Sequence, residues 1–237
     1  MIYNHSMDEA QVRSNAIQWV RAHKSELFEE LLAGRDFSQL DTAPAASFMA
    51  GTPGAGKTEV SKRFLEQFAL QPLRIDADEF REKIPGYNGA NSSVIQPAAA
   101  LAVDKVLEKI FAKKYPFLLD GTFAFGKALQ NLKRAQRRDY SLQIFYVYQD
   151  PLRAWEFTKA REKSEGRNVP KDAFIHAYFE SRANVNRAKE FFRDELSVIL
   201  IVKDYELGIE KLYDNVQRIE DHLEKIYTKD ELDEQII

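Results

Sequence analysis

Ala45-Ala-Ser-Phe-Met-Ala50, leading into Gly51-Thr52-Pro53-Gly54-Ala55-Gly56-Lys57-Thr58-Glu59, decides how the rest of the chain is read. The small and apolar residues up to Ala50 predict a buried strand, and Thr58 to Phe68 has the spacing of a helix. The turn between them, Gly51 to Thr58, fits the pattern G-x-x-x-x-G-K-[ST]. Each residue type has a physical reason. Glycines let backbone N–H groups turn inward toward phosphate oxygens, where side chains would block the approach. Lys57 is placed to reach the outer phosphates and the Thr58 hydroxyl to ligate Mg2+. The start of the helix aims its positive dipole end at the same anion. Gly51 to Glu59 is therefore the expected ATP-binding segment, with Thr58 as the metal ligand.

Outward from this point, strands and helices alternate as they do in α/β folds. Strands are predicted at Leu73 to Ile75, Phe117 to Leu119, Leu142 to Tyr148 and Ser197 to Val202. Helices are predicted at Val94 to Ala112, Phe125 to Arg138, Pro151 to about Lys163 and Lys171 to Phe192. Upstream, Asp8 to Leu32 reads as an amphipathic helix packed against the sheet, with Gly34 as its C-cap. Downstream, Ile209 to Tyr227 reads as a charged amphipathic helix before an acidic tail. The pattern predicts an α/β fold of the P-loop NTPase kind. That is a three-layer αβα sandwich with a mostly parallel central sheet and additional N- and C-terminal helices. One domain over 1–237 is expected, made of a helical segment (1–44), a core (45–203) and a C-terminal helix with tail (204–237).

Composition narrows the function classes. Hydrophobic residues at 44% and charged residues at 30% support a real core and argue against disorder. A net charge of -3 carries no electrostatic footprint for a nucleic-acid or anionic membrane partner. With no cysteine, disulfides, zinc–thiolate sites and thiol nucleophiles are excluded. Met1 to Glu9 is polar, so no signal peptide is read, and no apolar run approaches the roughly 18 residues of a membrane span. A cytoplasmic protein is expected. His5, His23, His176 and His222 have no metal-ligand spacing. Lys133, Arg134, Arg137 and Arg138 share one helix and read as a solvated face rather than an RNA track. Phe145-Tyr146-Val147-Tyr148 alternates like a core strand.

A phosphate loop specifies a nucleotide, not a reaction. The second strand ends in Ile75-Asp76-Ala77-Asp78-Glu79-Phe80-Arg81, and in an open parallel sheet ligands gather at the carboxyl ends of strands. A carboxylate there suits proton abstraction from an attacking hydroxyl. Asp78 equally suits an N-cap for the next helix. Asp120-Gly121-Thr122 ends the third strand, placed for Mg2+-bound water, for the acceptor, or simply for a turn. Arg161 and Arg167 flank a polar loop with Gly166, where forked donors suit the charge on a transferring phosphoryl group. Tyr87-Asn88-Gly89-Ala-Asn91 to Gln96 is the expected border of an acceptor pocket.

With these residues aligned, the chain resembles the zeta toxin family of bacterial toxin–antitoxin kinases over roughly Ala45 to Pro170. The resemblance rests on Gly51 to Thr58, on Asp76 to Arg81 with Pro85 and Tyr87, on Asp120-Gly121-Thr122, and on Arg161 with Arg167. It implies a small-molecule kinase using ATP and Mg2+, with UDP-N-acetylglucosamine as the acceptor in well-studied members. By position it implies Asp78 as catalytic base, Lys57 and Thr58 as phosphate and magnesium contacts, and Arg161 and Arg167 as charge stabilisers. Arg81, Tyr87, Asn88, Gln96, Asp120 and Thr122 then border the acceptor, and an antitoxin is an expected partner. Asp120 departs from the family's usual Glu, shortening the reach by about 1.5 Å. That leaves open a different acceptor, such as a nucleotide cofactor, an antibiotic, a nucleoside or a polynucleotide 5′ end. An ATP-binding regulatory module without transfer is the alternative from another class.

Overall fold

A six-stranded sheet runs through the computed structural model, which describes residues 8–37, 43–67, 71–166, 168–204 and 209–236. The strands are β1 (Ala45–Ala50), β2 (Leu73–Asp76), β3 (Phe117–Asp120), β4 (Ser141–Gln149), β5 (Leu196–Asp204) and β6 (Ile209–Tyr213). Their order is β2-β3-β1-β4-β5-β6. β1 to β5 are parallel, and β6 runs antiparallel to β5. The helices are α1 (Glu9–Leu32), α2 (Lys57–Leu65), α3 (Ala77–Lys83), α4 (Ser92–Lys113), α5 (Lys127–Gln136), α6 (Pro151–Glu165), α7 (Lys171–Phe192) and α8 (Lys229–Gln235).

Strand side chains alternate between two apolar layers, as a period of two requires. Ala46, Phe48 and Ala50 of β1, Ile144 and Tyr146 of β4, and Val198 and Leu200 of β5 join one core with α1, α3, α4, α5 and α7. Met49, Leu118, Phe145, Val147 and Ile201 face the other way, against Val60 and Leu65 of α2. Both faces of the parallel strands are thus covered, which explains their near-continuous apolar runs. At roughly 1.5–3 kcal/mol for each large apolar side chain fully buried, these two layers dominate the stabilisation. A third cluster, of Trp155, Phe174, Tyr178, Tyr227 and Leu232, ties α6 and α7 to the C-terminal segment.

Two expectations need correction. The N-terminal helix packs mainly along α4 and meets the sheet at its β2 edge. Lys109 sits over the Phe28 ring and donates to Ser25 at 3.0 Å, and Lys83 pairs with Glu30. More substantially, Ile209 to Tyr227 is not a helix. It forms β6, a turn with Asn215 at φ 49°, and a 3₁₀ turn at Ile219–His222. The short helix comes later, within the acidic tail, where Thr228 and Glu231 form a reciprocal capping box. Leu212, Val216, Ile219 and Leu223 do recur at helical spacing, but the open edge of β5 offers a ladder from Leu200↔Tyr213 to Asp204↔Ile209. A paired sheet edge, with Val216 and Ile219 folded back into the core, outweighs the local period.

Candidate active site

Three glycines give the phosphate loop its shape. Gly51, Gly54 and Gly56 have φ values of 127°, 75° and 85°, which side chains rarely tolerate. The Gly51 N–H donates to the Thr122 carbonyl at 3.2 Å and to Ser181 Oγ at 2.8 Å. The loop is thereby pinned to the exit of β3 and to α7. Lys57 folds back so that its Nζ donates to the Thr52 carbonyl at 2.5 Å. Thr58 lies half-buried in the first turn of α2, whose leading N–H groups have no intrahelical partner. The leading N–H groups of α2 suit an anion at this turn, and a Cβ at Gly54 would collide with the Ala154 carbonyl and Thr158 of α6. Glu59 points to the open side, where Lys203 donates to it at 2.8 Å. That hydrogen bond, opposed by partial burial and aided by the charges of Lys203 and Arg63, holds its carboxyl below the usual range.

Ser181 is fully buried, and a serine on a helix 130 residues away was not legible as a loop contact. Ser181→Ala is expected to cost about 0.5–1.5 kcal/mol, the net worth of one hydrogen bond, because the Gly51 N–H keeps the Thr122 carbonyl. Urea-unfolding midpoints of the two proteins measure it.

The next part of the same sheet edge begins at the end of β2. Asp76 is the N-cap of α3, its Oδ1 accepting the Asp78 N–H at 2.9 Å. Asp78 is therefore not the cap. It stands in the first turn of α3 with its side chain 29% exposed, and its Oδ1 accepts from Arg81. Arg81 is 3% exposed and also donates to Gln96 Oε1 on α4, while its Nε has no hydrogen-bond partner. Burial pushes the Arg81 guanidinium below its ordinary pKa, with Tyr87 and the nearby carboxylates opposing. Both Arg81 and Gln96 are thus committed to holding Asp78's surroundings. Tyr87 approaches Ser92 Oγ at 3.4 Å. Asn88 exchanges hydrogen bonds with Asn91, each side-chain oxygen accepting the other's N–H, and so shapes the turn into α4.

Asp120 and Asp76 sit opposite each other on β3 and β2. The Asp120 Oδ2 accepts from Ser61 Oγ of α2 at 3.0 Å and from Arg74 at 2.7 Å. Thr122 supplies its carbonyl to the phosphate loop and its Oγ1 to the Ala124 N–H at 3.3 Å. Asn184 of α7 fixes the following turn through the Phe123 carbonyl at 3.1 Å. Arg161 is exposed on the last turns of α6, and Arg167 lies outside the described residues. Phosphate loop, Asp78, Asp120 and Thr122 therefore share the carboxyl edge of β2, β3 and β1. Arg74, Ser61, Ser181 and Asn184 were missed. Only Arg74 left a signal, as a charged residue inside an apolar strand.

Similar architectures have been solved. The chain matches a structure from the PezAT chromosomal toxin–antitoxin system of Streptococcus pneumoniae at 17% identity and TM-score 0.67, covering 92% of this chain and 91% of that one. It matches the AvrRxo1-ORF1:-ORF2 complex at 12% identity and TM-score 0.60, covering 91% and 72%. The same complex solved with ATP matches at 12% identity and TM-score 0.57, covering 85% and 65%. At these identities the likeness concerns the fold. No curated protein sequence matches the chain. The profile described as "Zeta toxin" matches residues 29–218, which takes in the phosphate loop, the α3 carboxylates, Asp120 and the whole parallel sheet. With its sheet order and phosphate loop of the P-loop kinase kind, the chain belongs to the zeta toxin family.

Proposed function

We propose that this protein is an ATP- and Mg2+-dependent kinase that transfers the γ-phosphoryl group to a hydroxyl of a sugar nucleotide such as UDP-N-acetylglucosamine. One observation carries the reading. Asp76 takes the capping duty on α3, so the Asp78 carboxylate stands at the same sheet edge as the phosphate loop without being the cap. Two inter-strand steps separate β2 from β1, about 10 Å, a span that a γ-phosphate and an acceptor hydroxyl fill between them.

In this mechanism Asp78 takes the proton of the acceptor hydroxyl. The oxygen forms its bond to the γ-phosphorus as the bridging oxygen bond breaks and ADP leaves. Lys57 and the loop N–H groups bind the phosphates, and Arg161 and Arg167 stabilise the charge on the migrating group. Thr58 would supply a hydroxyl ligand to Mg2+, which when bound would neutralise phosphate charge. An antitoxin that covers the nucleotide site is the partner this reading calls for.

The same chemistry on another acceptor is favoured by the Asp120 contacts, since its Oδ2 is occupied from within by Ser61 and Arg74. Incubating the protein with ATP, Mg2+ and a metabolite extract, then searching by mass spectrometry for a new phosphate ester, decides among these. A phosphorylated UDP-amino sugar, lost on adding EDTA, is the expected result. A phosphate gained by a nucleoside, an antibiotic or a nucleic-acid end would reassign the acceptor. ATP hydrolysis with no ester from any extract would leave a regulatory nucleotide binder.

A further inference from the structure

Arg74 occupies the middle of β2 between Leu73 and Ile75, whose side chains enter the main core. Alternation sends Arg74 to the opposite face, where α2 lies. It is only 8% exposed. Its guanidinium reaches four groups on three elements. Nη2 donates to Asp76 Oδ2 at 2.6 Å and to Asp120 Oδ2 at 2.7 Å, Nη1 pairs with Glu79, and Nε donates to Ser61 Oγ at 3.3 Å. Asp76 and Glu79 belong to the cap and first turn of α3, the helix that presents Asp78. Ser61 belongs to α2, the helix that begins at Lys57 and Thr58. Asp120, between them on β3, closes the circuit by accepting from Ser61 as well.

From this circuit we infer that Arg74 is a positioning residue for phosphoryl transfer. It sets the distance between the phosphate-binding helix α2 and the base-bearing helix α3. The inference rests on the kinase reading above. Arg74 reaches Ser61 on α2 and Asp76 and Glu79 at the start of α3, and the geometry calls for a fork. Acceptors lie in three directions, which a planar guanidinium can satisfy and a single ammonium cannot. Burial works against the charge, but the carboxylates of Asp120, Asp76 and Glu79 more than offset it and hold Arg74 above its ordinary pKa. The arrangement also gives the short Asp at position 120 a purpose: its Oδ2 is already in reach of both Arg74 and Ser61, where a longer side chain would overshoot by about 1.5 Å.

The test measures transfer to the identified acceptor and ATP hydrolysis by water side by side, in wild type, Arg74→Met, Arg74→Lys and Ser61→Ala. Positioning predicts a split. Arg74→Met lowers kcat for transfer about 100-fold, the cost of a displacement near 1 Å, while the KM for ATP and the rate of hydrolysis stay within about threefold. Arg74→Lys fails to restore transfer. Ser61→Ala, which cuts only the α2 contact and leaves a small, packable side chain, lowers transfer about 5- to 10-fold in the same direction. Equal losses of transfer and hydrolysis in Arg74→Met would mean general loosening and overturn the inference, as would full activity in Arg74→Lys. If Arg74→Met fails to fold, Ser61→Ala with Glu79→Gln carries the test, and an unchanged ratio of transfer to hydrolysis in both overturns it. Absence of any transfer by the wild type would instead remove the kinase reading itself.

Discussion

Asp78→Asn is expected to reduce phosphoryl transfer by about 10²- to 10⁴-fold while leaving ATP affinity within about twofold of wild type. Asparagine keeps an oxygen where Arg81 finds its acceptor, yet it has no carboxylate to take a proton. The variant therefore separates chemistry from architecture. Asp78→Ala is a harsher change. It leaves Arg81, 3% exposed and already with one unpartnered nitrogen, to rely on Gln96. A further loss of about 1–3 kcal/mol in stability is expected for alanine and not for asparagine. Isothermal titration with a non-hydrolysable ATP analogue gives the affinity, and ester formation followed by mass spectrometry gives the rate. Wild-type transfer in Asp78→Asn would move the base elsewhere. The nearest alternatives, Asp76 and Asp120, both have an oxygen paired with Arg74.

Gly54→Ala is expected to weaken ATP binding by at least about 100-fold. The backbone there has φ 75°, a region that costs an ordinary L residue roughly 1–2 kcal/mol. Sterics add more. A Cβ would lie 2.0 Å from the Ala154 carbonyl oxygen and 2.6 Å from Thr158 Oγ1. Neither neighbour yields easily, because the Thr158 hydroxyl itself donates to the Ala154 carbonyl at 2.8 Å within α6. The loop must move away from α6, and its N–H groups lose their common focus. Gly121→Ala provides the control: nothing lies within 4 Å of a Cβ at that position, although it too borders the site. Titration with the ATP analogue should show near wild-type affinity for Gly121→Ala and a collapse for Gly54→Ala. Equal affinities for the two variants would mean that the loop does not cradle the phosphates.

Several site features could be read locally because local chemistry causes them. The glycine loop stands between a strand and a helix, and the Asp76-x-Asp78 spacing marks a helix start at a strand end. Which of those aspartates caps could not be read, since each has free helical N–H groups two and three residues further on. The hydrogen bond from the Asp78 N–H to Asp76 gives the cap to Asp76. Gln96 and Asn88 look alike in sequence as polar residues near a pocket. In the fold, one accepts from Arg81 and the other builds a turn with Asn91.

The amino-acid sequence on its own determined the alternation of elements, the phosphate loop and the family, because periodicity and glycine conformations act between near neighbours in the chain. Tertiary structure alone decided that Ile209–Tyr213 completes the sheet edge, that Ser181 and Thr122 hold Gly51, and that Arg74 joins α2 to α3. These contacts connect residues far apart in sequence, so their partners exist only once the sheet has brought them together. A buried guanidinium or an open strand edge takes whatever satisfies it in space, whatever the local pattern suggests.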